Sequence, residues 1–238
     1  MEESLSDDSG IYPNSPLVKV VAELCFSHNF DIFANYQRYY EGCKHYFDRL
    51  DLPLPNQSSS PYQQPVIFVN KNTGQAISLA ADKFSYAEQH YQNHESFFEQ
   101  FLKHEDLLTK CYKEQEFFRF GFRYINFIPF SRVGNCIPLK DFFNLSVSFG
   151  QQLDEDIVDI NSALIKDFGD SRLRIQFASG KDAQGREGLT LDLDYFVVNK
   201  FQREHIRVML KNGNERIKDF FERSITEGYR NYLRGNSL

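Results

Sequence analysis

Hydrophobic residues recur along this chain at two spacings, every second residue in some segments and every third or fourth in others. The first spacing predicts half-buried strands and the second predicts amphipathic helices. The stretch LVKVVAELCF is the first clear strand, with apolar or small side chains alternating from Val18 to Phe26. The segment FFRFGFRYINFIP is predicted to form a central strand. One face of that strand would carry Phe118, Phe120, Phe122, Tyr124 and Asn126.

The same two spacings place the remaining elements. Strands are predicted at residues 66–70, 75–81, 83–88, 159–166, 172–178 and 189–197. Helices are predicted at residues 31–50, 93–112, 139–145 and 202–233. Gly213 is expected to break or kink the last of these helices. Residues 53–65 are rich in Pro, Ser and Gln, which indicates a loop.

Alternating strands beside amphipathic helices indicate an α+β protein, with a largely antiparallel sheet and helices packed on one face. The acidic residues 1–14 are expected to form a disordered tail. Residues 15–116 and 117–238 then read as two similar halves of one compact unit, each with the order β-α-β-β-(β)-α, which suggests an internal duplication. A ferredoxin-like order, β-α-β-β-α-β, is the alternative for the first half followed by the central strand.

Composition narrows the class of protein. The net charge of −6 argues against non-specific binding of phosphate backbones, although it is compatible with a local basic patch. The four cysteines form no CxxC or CxxH pair, which disfavours a zinc site. There is no run of 18 apolar residues and no secretory signal. We therefore expect a cytoplasmic protein with reduced thiols and no membrane contact.

Charged residues on the polar faces of the predicted strands are the candidate contacts to a ligand or partner. Glu23 and Arg123 are expected to lie close enough for a cross-strand ion pair. A cationic sheet surface for an anionic ligand or an acidic partner would comprise Arg119, Arg123, Arg172 and Arg174. Asp192 and Asp194 on a neighbouring strand would neutralise part of this surface, which favours a structural role for the arginines.

Aromatic residues around Tyr124 and Asn126 raise the alternative of nucleic-acid binding, because aromatic side chains on an open sheet can stack against bases. That phenylalanine-rich face is, however, the one expected to lie under the helices. On the opposite, arginine-bearing face Phe127 is the neighbouring aromatic residue, so the stacking platform is incomplete. Tyr124 and Asn126 are kept as candidate binding residues.

Motifs for catalysis, nucleotide binding and metal binding are absent from the sequence. The chain has no GxSxG, Walker A, HExxH or helix-opening GxGxxG pattern. His90 and His94 are four residues apart, but His90 precedes the predicted helix, so no metal site is assigned. We therefore expect a non-enzymatic protein without a cofactor or a metal.

Two stretches carry a resemblance to a known family. NSPLVKVVAELCF resembles the N-terminal signature N-x-P-(V/L)-x-x-V-x-x-E-(I/L)-x-F, and FGFRYINFI resembles the mid-chain signature G-(L/F)-R-Y-(I/L)-N. The later segments DFFN, LTLDLDYF and NERIKDFFERSIT agree in order and spacing. The family is a sporadically distributed group of bacterial proteins of similar length. The resemblance implies no particular activity, and the patchy distribution implies a cargo gene of mobile elements or an accessory to defence against phage.

These observations together predict a binding or interaction module that works with other proteins, as an accessory or sensor. A homodimer through an edge strand or an exposed sheet face is a further expectation. Two alternatives stay open. One is an RNA-binding or RNA-processing protein of ferredoxin-like type, with His28 or His205 as an acid–base group. The other is a protein that binds a small anionic ligand in a pocket lined by Phe and Tyr, with Arg123 as the anion anchor.

Overall fold

The computed structural model describes residues 12–52, 64–113, 115–144 and 156–237. Within these ranges the strands form one nine-stranded sheet in which every pairing is antiparallel. The strands are β1 (Leu17–Phe26), β2 (Arg49–Asp51), β3 (Val66–Asn70), β4 (Gln75–Ala80), β5 (Lys83–Glu88), β6 (Phe117–Pro129), β7 (Asn161–Asp167), β8 (Arg172–Lys181) and β9 (Glu187–Phe201). The helices are α1 (Phe30–Ala34), α2 (Gln37–Cys43), α3 (His94–Cys111), α4 (Leu139–Phe142), α5 (Ile206–Ser224) and α6 (Glu227–Leu233).

The strand order across the sheet is β2-β3-β4-β5-β1-β6-β9-β8-β7, so β1 and β6 lie at its centre. Each half of the chain places its last strand beside its first: β5 pairs with β1, and β9 pairs with β6. The earlier strands of each half follow outward to the two edges. This arrangement is what an internal duplication would produce, and the duplication itself stays a prediction because strand order alone does not establish common origin.

The hydrophobic core lies between one face of the sheet and the helices. Alternate side chains of the central strands, including Leu24, Phe120 and Leu193, are fully buried there. Helix α3 contributes Phe97, whose ring centroid lies 5.7 Å from that of Phe122, and α5 packs against β6 and β9. The predicted α+β class, with helices on one face of an antiparallel sheet, is confirmed. The neighbouring strands β4-β5-β1-β6 are all antiparallel, as they also are in a ferredoxin-like sheet, so that alternative for the first half stays a prediction.

The opposite face, called the open face below, is covered by no helix in the described ranges. It is formed by the alternate positions of the same strands, and its charged residues in the central and second-half strands are Lys19, Glu23, Lys83, Arg119, Arg123, Asp167, Arg172, Arg174, Asp192 and Asp194.

The single helix predicted at residues 31–50 is wrong. The chain instead forms α1, α2, one turn of 3₁₀ helix and the short strand β2. Helix α1 ends because Asn35 leaves the helical conformation, with φ −134°, and its side chain donates a hydrogen bond to Asp31 Oδ1 at 2.5 Å. An asparagine side chain that bonds the nearby chain competes with helix continuation in this way. Residues 49–51 then pair with β3 at the sheet edge.

The predicted break at Gly213 is also wrong. Helix α5 runs through Gly213, and the chain leaves the helix at Ile225, where ψ is 150°. Thr226 then caps α6, its hydroxyl accepting from the Tyr229 backbone N–H at 3.1 Å. Gly213 faces the core, where an added Cβ would lie 2.8 Å from Tyr195 Cδ1. This glycine therefore allows close approach of helix and sheet.

Phe118 does not share the buried face of β6 as predicted. A register shift between Phe117 and Arg119 marks a β-bulge, which turns the start of the strand over. Phe117 is consequently buried and stacks on Phe201 at 5.7 Å, while Phe118 is 43% exposed. The alternation predicted from Phe120 to Asn126 is present.

Two predicted segments fall largely outside the described residues: residues 1–11 of the tail and residues 53–63 of the loop. The described end of the predicted tail contacts the last helices. Tyr12 donates a hydrogen bond to Glu222 at 2.7 Å, and the Asn14 backbone N–H donates to the Leu233 carbonyl at 3.1 Å. In the described part of the chain, no helix combines the length and the apolar character needed to cross a membrane.

Candidate functional site

The centre of the open face is a set of paired arginines and carboxylates on β1, β6 and β9. These strands bring together residues from three distant segments of the chain: Glu23, Arg119, Arg123, Asp192 and Asp194. Period two in each strand places their side chains on the same side of the sheet. The sequence predicts all five on the polar faces of strands: Glu23, Arg119 and Arg123 as candidate contacts, and the two aspartates as neutralising neighbours.

Arg119 bridges two carboxylates across the central strands. Its Nη1 donates to Glu23 Oε1 at 2.6 Å, and its Nη2 donates to Asp194 Oδ2 at 3.4 Å. Its guanidinium also lies 5.5 Å from the centroid of the Phe196 ring. Arg119 is therefore fixed by contacts on both sides, with its side chain 27% exposed.

The predicted ion pair between Glu23 and Arg123 is not formed. The register places Gly121 opposite Glu23, and Val21 and Asp194 opposite Arg123. A Cβ at Gly121 would lie 3.0 Å from Arg119 Nη1, so the missing side chain leaves room for the Arg119 guanidinium to reach Glu23. The predicted pairing of β1 with β6 is correct, but the arginine of β6 that pairs with Glu23 is Arg119 and not Arg123.

Arg123 instead forms a bidentate pair with Asp192. Its Nε donates to Asp192 Oδ1 at 2.6 Å, and its Nη2 donates to Asp192 Oδ2. The Asp192 side chain is 8% exposed, although no described helix covers it. The pair raises the pKa of the Arg123 guanidinium. Such a partly buried, bidentate pair holds two strands in register, and it already engages the Nε and Nη2 atoms of Arg123.

Asp194 is the perturbed group of this set. Burial raises its pKa to about 6, against the lowering effect of Arg119 and Arg123, and Asp192 and Glu23 add to the increase. Near neutral pH a fraction of Asp194 is therefore protonated, and the charge of the open face depends on pH.

The outer part of the open face carries cations that are less engaged. Arg172 lies 3.7 Å from Asp167, and both side chains are more than half exposed. Arg174 lies opposite Asp194 and Ile165 in the register and is exposed. Neither Arg174 nor Lys19 forms an ion pair with a described residue. These side chains, unlike Arg119 and Arg123, are available to a partner.

Tyr124 and Asn126 lie on the helix side, away from the arginines. The Tyr124 hydroxyl contacts the Tyr91 hydroxyl at 2.6 Å and donates to Asn214 Oδ1 at 2.8 Å. Asn126 Nδ2 donates to the Leu191 carbonyl at 3.1 Å, on the neighbouring strand. The seven predicted site residues are therefore divided between two sites on opposite sides of the sheet.

Tyr124 and Asn126 line a small cleft that the sequence analysis missed. The cleft also contains Tyr91 from the chain before α3 and Lys218 and Glu222 from α5. In the sequence, Lys218 lies beside the apolar stripe of the last helix, and this position was the available signal for a cleft. The fold, and not the local sequence, brings Lys218 next to Tyr91.

The described residues contain no metal-binding cluster, and Cys25 and Cys43 are not activated as thiolates. No group of three or more His, Cys, Asp or Glu side chains there could hold a metal ion. The cysteines, Cys25, Cys43, Cys111 and Cys136, are free thiols. Burial raises the pKa of the Cys25 and Cys43 thiols, so neither is activated as a thiolate nucleophile.

Comparison with known proteins finds no family model, no curated protein and no solved structure that matches this chain.

Proposed function

We propose that this chain is a non-enzymatic binding module that engages another protein through the open face of its sheet. The observation that carries the proposal is the composition of that face. Its centre is fixed by ion pairs, and the unpaired Arg174 and exposed apolar side chains lie around that centre. Ile165 beside Arg174 is 62% exposed, and Val198 beside Arg119 is 54% exposed. Mixed apolar and charged surfaces of this kind are typical of non-obligate protein interfaces.

The charges of the open face favour a protein partner over nucleic acid. Asp192, Asp194 and Glu23 would lie against the phosphates of a bound strand, which is unfavourable. The aromatic rings are also occupied. Phe196 lies beside the Arg119 guanidinium, and the Phe127 ring lies over Gly188, where an added Cβ would be 2.3 Å from the ring.

The unpaired cations favour an acidic patch on the partner. Arg174 has no carboxylate contact with a described residue, and the separation of Arg172 from Asp167 is long for an ion pair. Two arginines two residues apart on one strand face can each form a bidentate pair with a carboxylate of the partner. The family resemblance implies a role in phage defence or on mobile elements, and we propose that this binding serves such a role.

Self-association is part of the proposal, and it rests on β7. All seven residues of this edge strand are exposed, with Leu164 63% and Ile165 62% exposed on opposite faces. Edge strands are usually protected by a central charge, a proline or a bulge. β7 pairs with β8 without a register shift and carries charge only at Lys166 and Asp167. Antiparallel pairing of two copies centred on Leu164 would place Ala163 opposite Ile165 of the second copy.

The experiment is a capture of the partner from the native host by the tagged full chain. The double variant Arg172→Glu/Arg174→Glu is compared with Arg207→Glu/Lys211→Glu, which makes the same charge change on exposed residues of α5. We expect one protein to be retained by the wild type and by the α5 variant and to be lost by the open-face variant. Retention by all three would contradict the proposal. A salt-dependent shift of RNA that only the open-face variant abolishes would replace the protein partner with a nucleic acid.

A further inference from the structure

The cleft on the helix side of the sheet is a second site, independent of the open face. It lies between the start of β1, the strands β6 and β9, and helix α5, and its volume is about 130 Å³. We propose that it binds a small amphipathic carboxylate, with a ring-sized apolar body between its walls and its anionic group on the Lys218 ammonium.

The walls and volume of the cleft fit one small apolar group. Leu17, Leu193, Ile217 and Phe221 form its aliphatic and phenyl walls, beside Pro16 and the tyrosine rings. Cavities of roughly 150 Å³ with comparable apolar linings take up benzene. A single ring or a branched chain of similar size therefore fits, whereas a nucleotide or a peptide does not.

The tyrosine hydroxyl protons around the cleft are already committed. Tyr124 donates its proton to Asn214 Oδ1, so the short contact between the two hydroxyls requires Tyr91 to donate to Tyr124. Asn126 uses one amide proton on the Leu191 carbonyl. The tyrosine oxygens can accept hydrogen bonds from a ligand, but they cannot neutralise an anion.

Lys218 is the free cation of this cleft. It forms no hydrogen bond or ion pair with a described residue, and burial lowers the pKa of its amine against the raising effect of the Glu95 and Glu222 carboxylates. The neighbouring Glu222 is already engaged by the Tyr12 hydroxyl at 2.7 Å and by Arg230 Nε at 3.1 Å. A partly buried ammonium without a partner is unfavourable, and a carboxylate entering the cleft would supply the missing partner.

Arg123 had been expected to anchor such an anion. It lies on the other side of the sheet and is paired with Asp192. In the proposed site, Lys218 and not Arg123 binds the anion. This site is independent of the protein partner proposed for the open face.

Titration of the full chain with benzoate and with its neutral counterpart benzamide, followed by calorimetry and by thermal shift, tests this site. We expect saturable binding of benzoate and binding of benzamide weaker by about tenfold or more, since a charge-assisted hydrogen bond is lost. Lys218→Met keeps the methylene stem and should weaken benzoate binding by about tenfold to a hundredfold. Lys211→Met, an exposed lysine on the same helix, is the matched control and should leave binding unchanged.

Lys218→Met should also fold, because it removes a charge from a partly buried position. Its melting temperature without ligand should equal or exceed that of the wild type, and benzoate should no longer raise it. The proposal is overturned if Lys218→Met binds benzoate as tightly as the wild type, or if benzamide binds as tightly as benzoate. Absence of saturable binding up to about 10 mM of benzoate or of 3-methylbutanoate would also overturn it.

Discussion

Single residues of the open face divide into those that hold the sheet together and those that can meet a partner. Arg123 and Asp192 share two hydrogen bonds across β6 and β9, and Arg119 connects Glu23 with Asp194. Arg174, only two strands away, has no such contact in the described part of the chain. Identical side-chain chemistry therefore serves two purposes, and substitution can separate them.

Replacing the two arginines should have opposite consequences. Arg123→Ala leaves the Asp192 carboxylate buried without its partner, so we expect a loss of about 2 to 5 kcal/mol in the free energy of unfolding. Arg174→Ala should change that free energy by less than about 0.5 kcal/mol, because the side chain is exposed. Urea unfolding of both variants checks this. Equal stability of the two would show that the Arg123–Asp192 pair is not structural.

Asp194 should make stability depend on pH. Its pKa is about 6 in the folded chain and about 3.9 in an unfolded one. Between these values the folded state binds more protons, so the free energy of unfolding falls as pH rises through this window. An asparagine at this position cannot ionise, so Asp194→Asn should not lose stability in this window. The free energy of unfolding of the variant, relative to that of the wild type, should therefore rise by about 1 to 3 kcal/mol from about pH 4.5 to about pH 7.5. A difference that stays constant with pH would contradict the perturbed carboxyl.

Gly213 should be intolerant of even the smallest side chain. An added Cβ would lie 2.8 Å from Tyr195 and 3.1 Å from Phe122, both in the core. We expect Gly213→Ala to destabilise the fold by about 1 to 3 kcal/mol, despite the better helix propensity of alanine. Gly228 in α6 has no close neighbour, so Gly228→Ala should be neutral or slightly stabilising. Thermal unfolding of the pair distinguishes packing from propensity.

At the scale of elements, the free edge strand β7 has the clearest consequence. Ile165→Lys places a charge in the centre of the strand and should convert a concentration-dependent dimer into a folded monomer, whose melting temperature no longer depends on concentration. Val208→Lys, on a residue of α5 that is 56% exposed, is the control and should stay dimeric. Analytical ultracentrifugation measures both. A monomeric wild type, or a dimeric Ile165→Lys variant, would rule out pairing through β7.

Most elements could be predicted from the sequence because their alternation is long and regular. The spacing of apolar residues in β1, β6, β8 and β9 reflects burial on one face only, and that pattern is local. The failures occurred where a tertiary contact or one side chain decides the conformation. Asn35 ends α1 within a continuous apolar stripe, β2 has only three residues, and Gly213 looks like a helix breaker until Tyr195 is placed beneath it.

The candidate sites were less predictable than the fold. The charged face followed from period two, but the choice of Arg119 as the partner of Glu23 depends on the register and on the space above Gly121. The cleft joins Tyr91 and Lys218, which are separated by more than half of the chain. The spacing of residues along the chain does not predict a contact between residues so distant in sequence.

The whole molecule is asymmetric in its use of the two sheet faces. The helices cover one face completely enough to bury Phe120 and Phe122 of β6, while the other face presents fixed ion pairs and unpaired cations on a protein of net charge −6. An acidic protein that keeps free arginines on one uncovered face is suited to a partner of local negative charge. We therefore propose that the partner protein binds across the open face.

Site-specific photocrosslinking in the native host tests this claim most directly. A photoreactive amino acid is placed at Gln176, on the open face between Arg174 and Ala178, or at Val208 on the outer surface of α5. We expect a discrete protein adduct from position 176 that Arg174→Glu abolishes, and no equivalent adduct from position 208. Adducts of equal yield from both positions, or none from position 176, would contradict it.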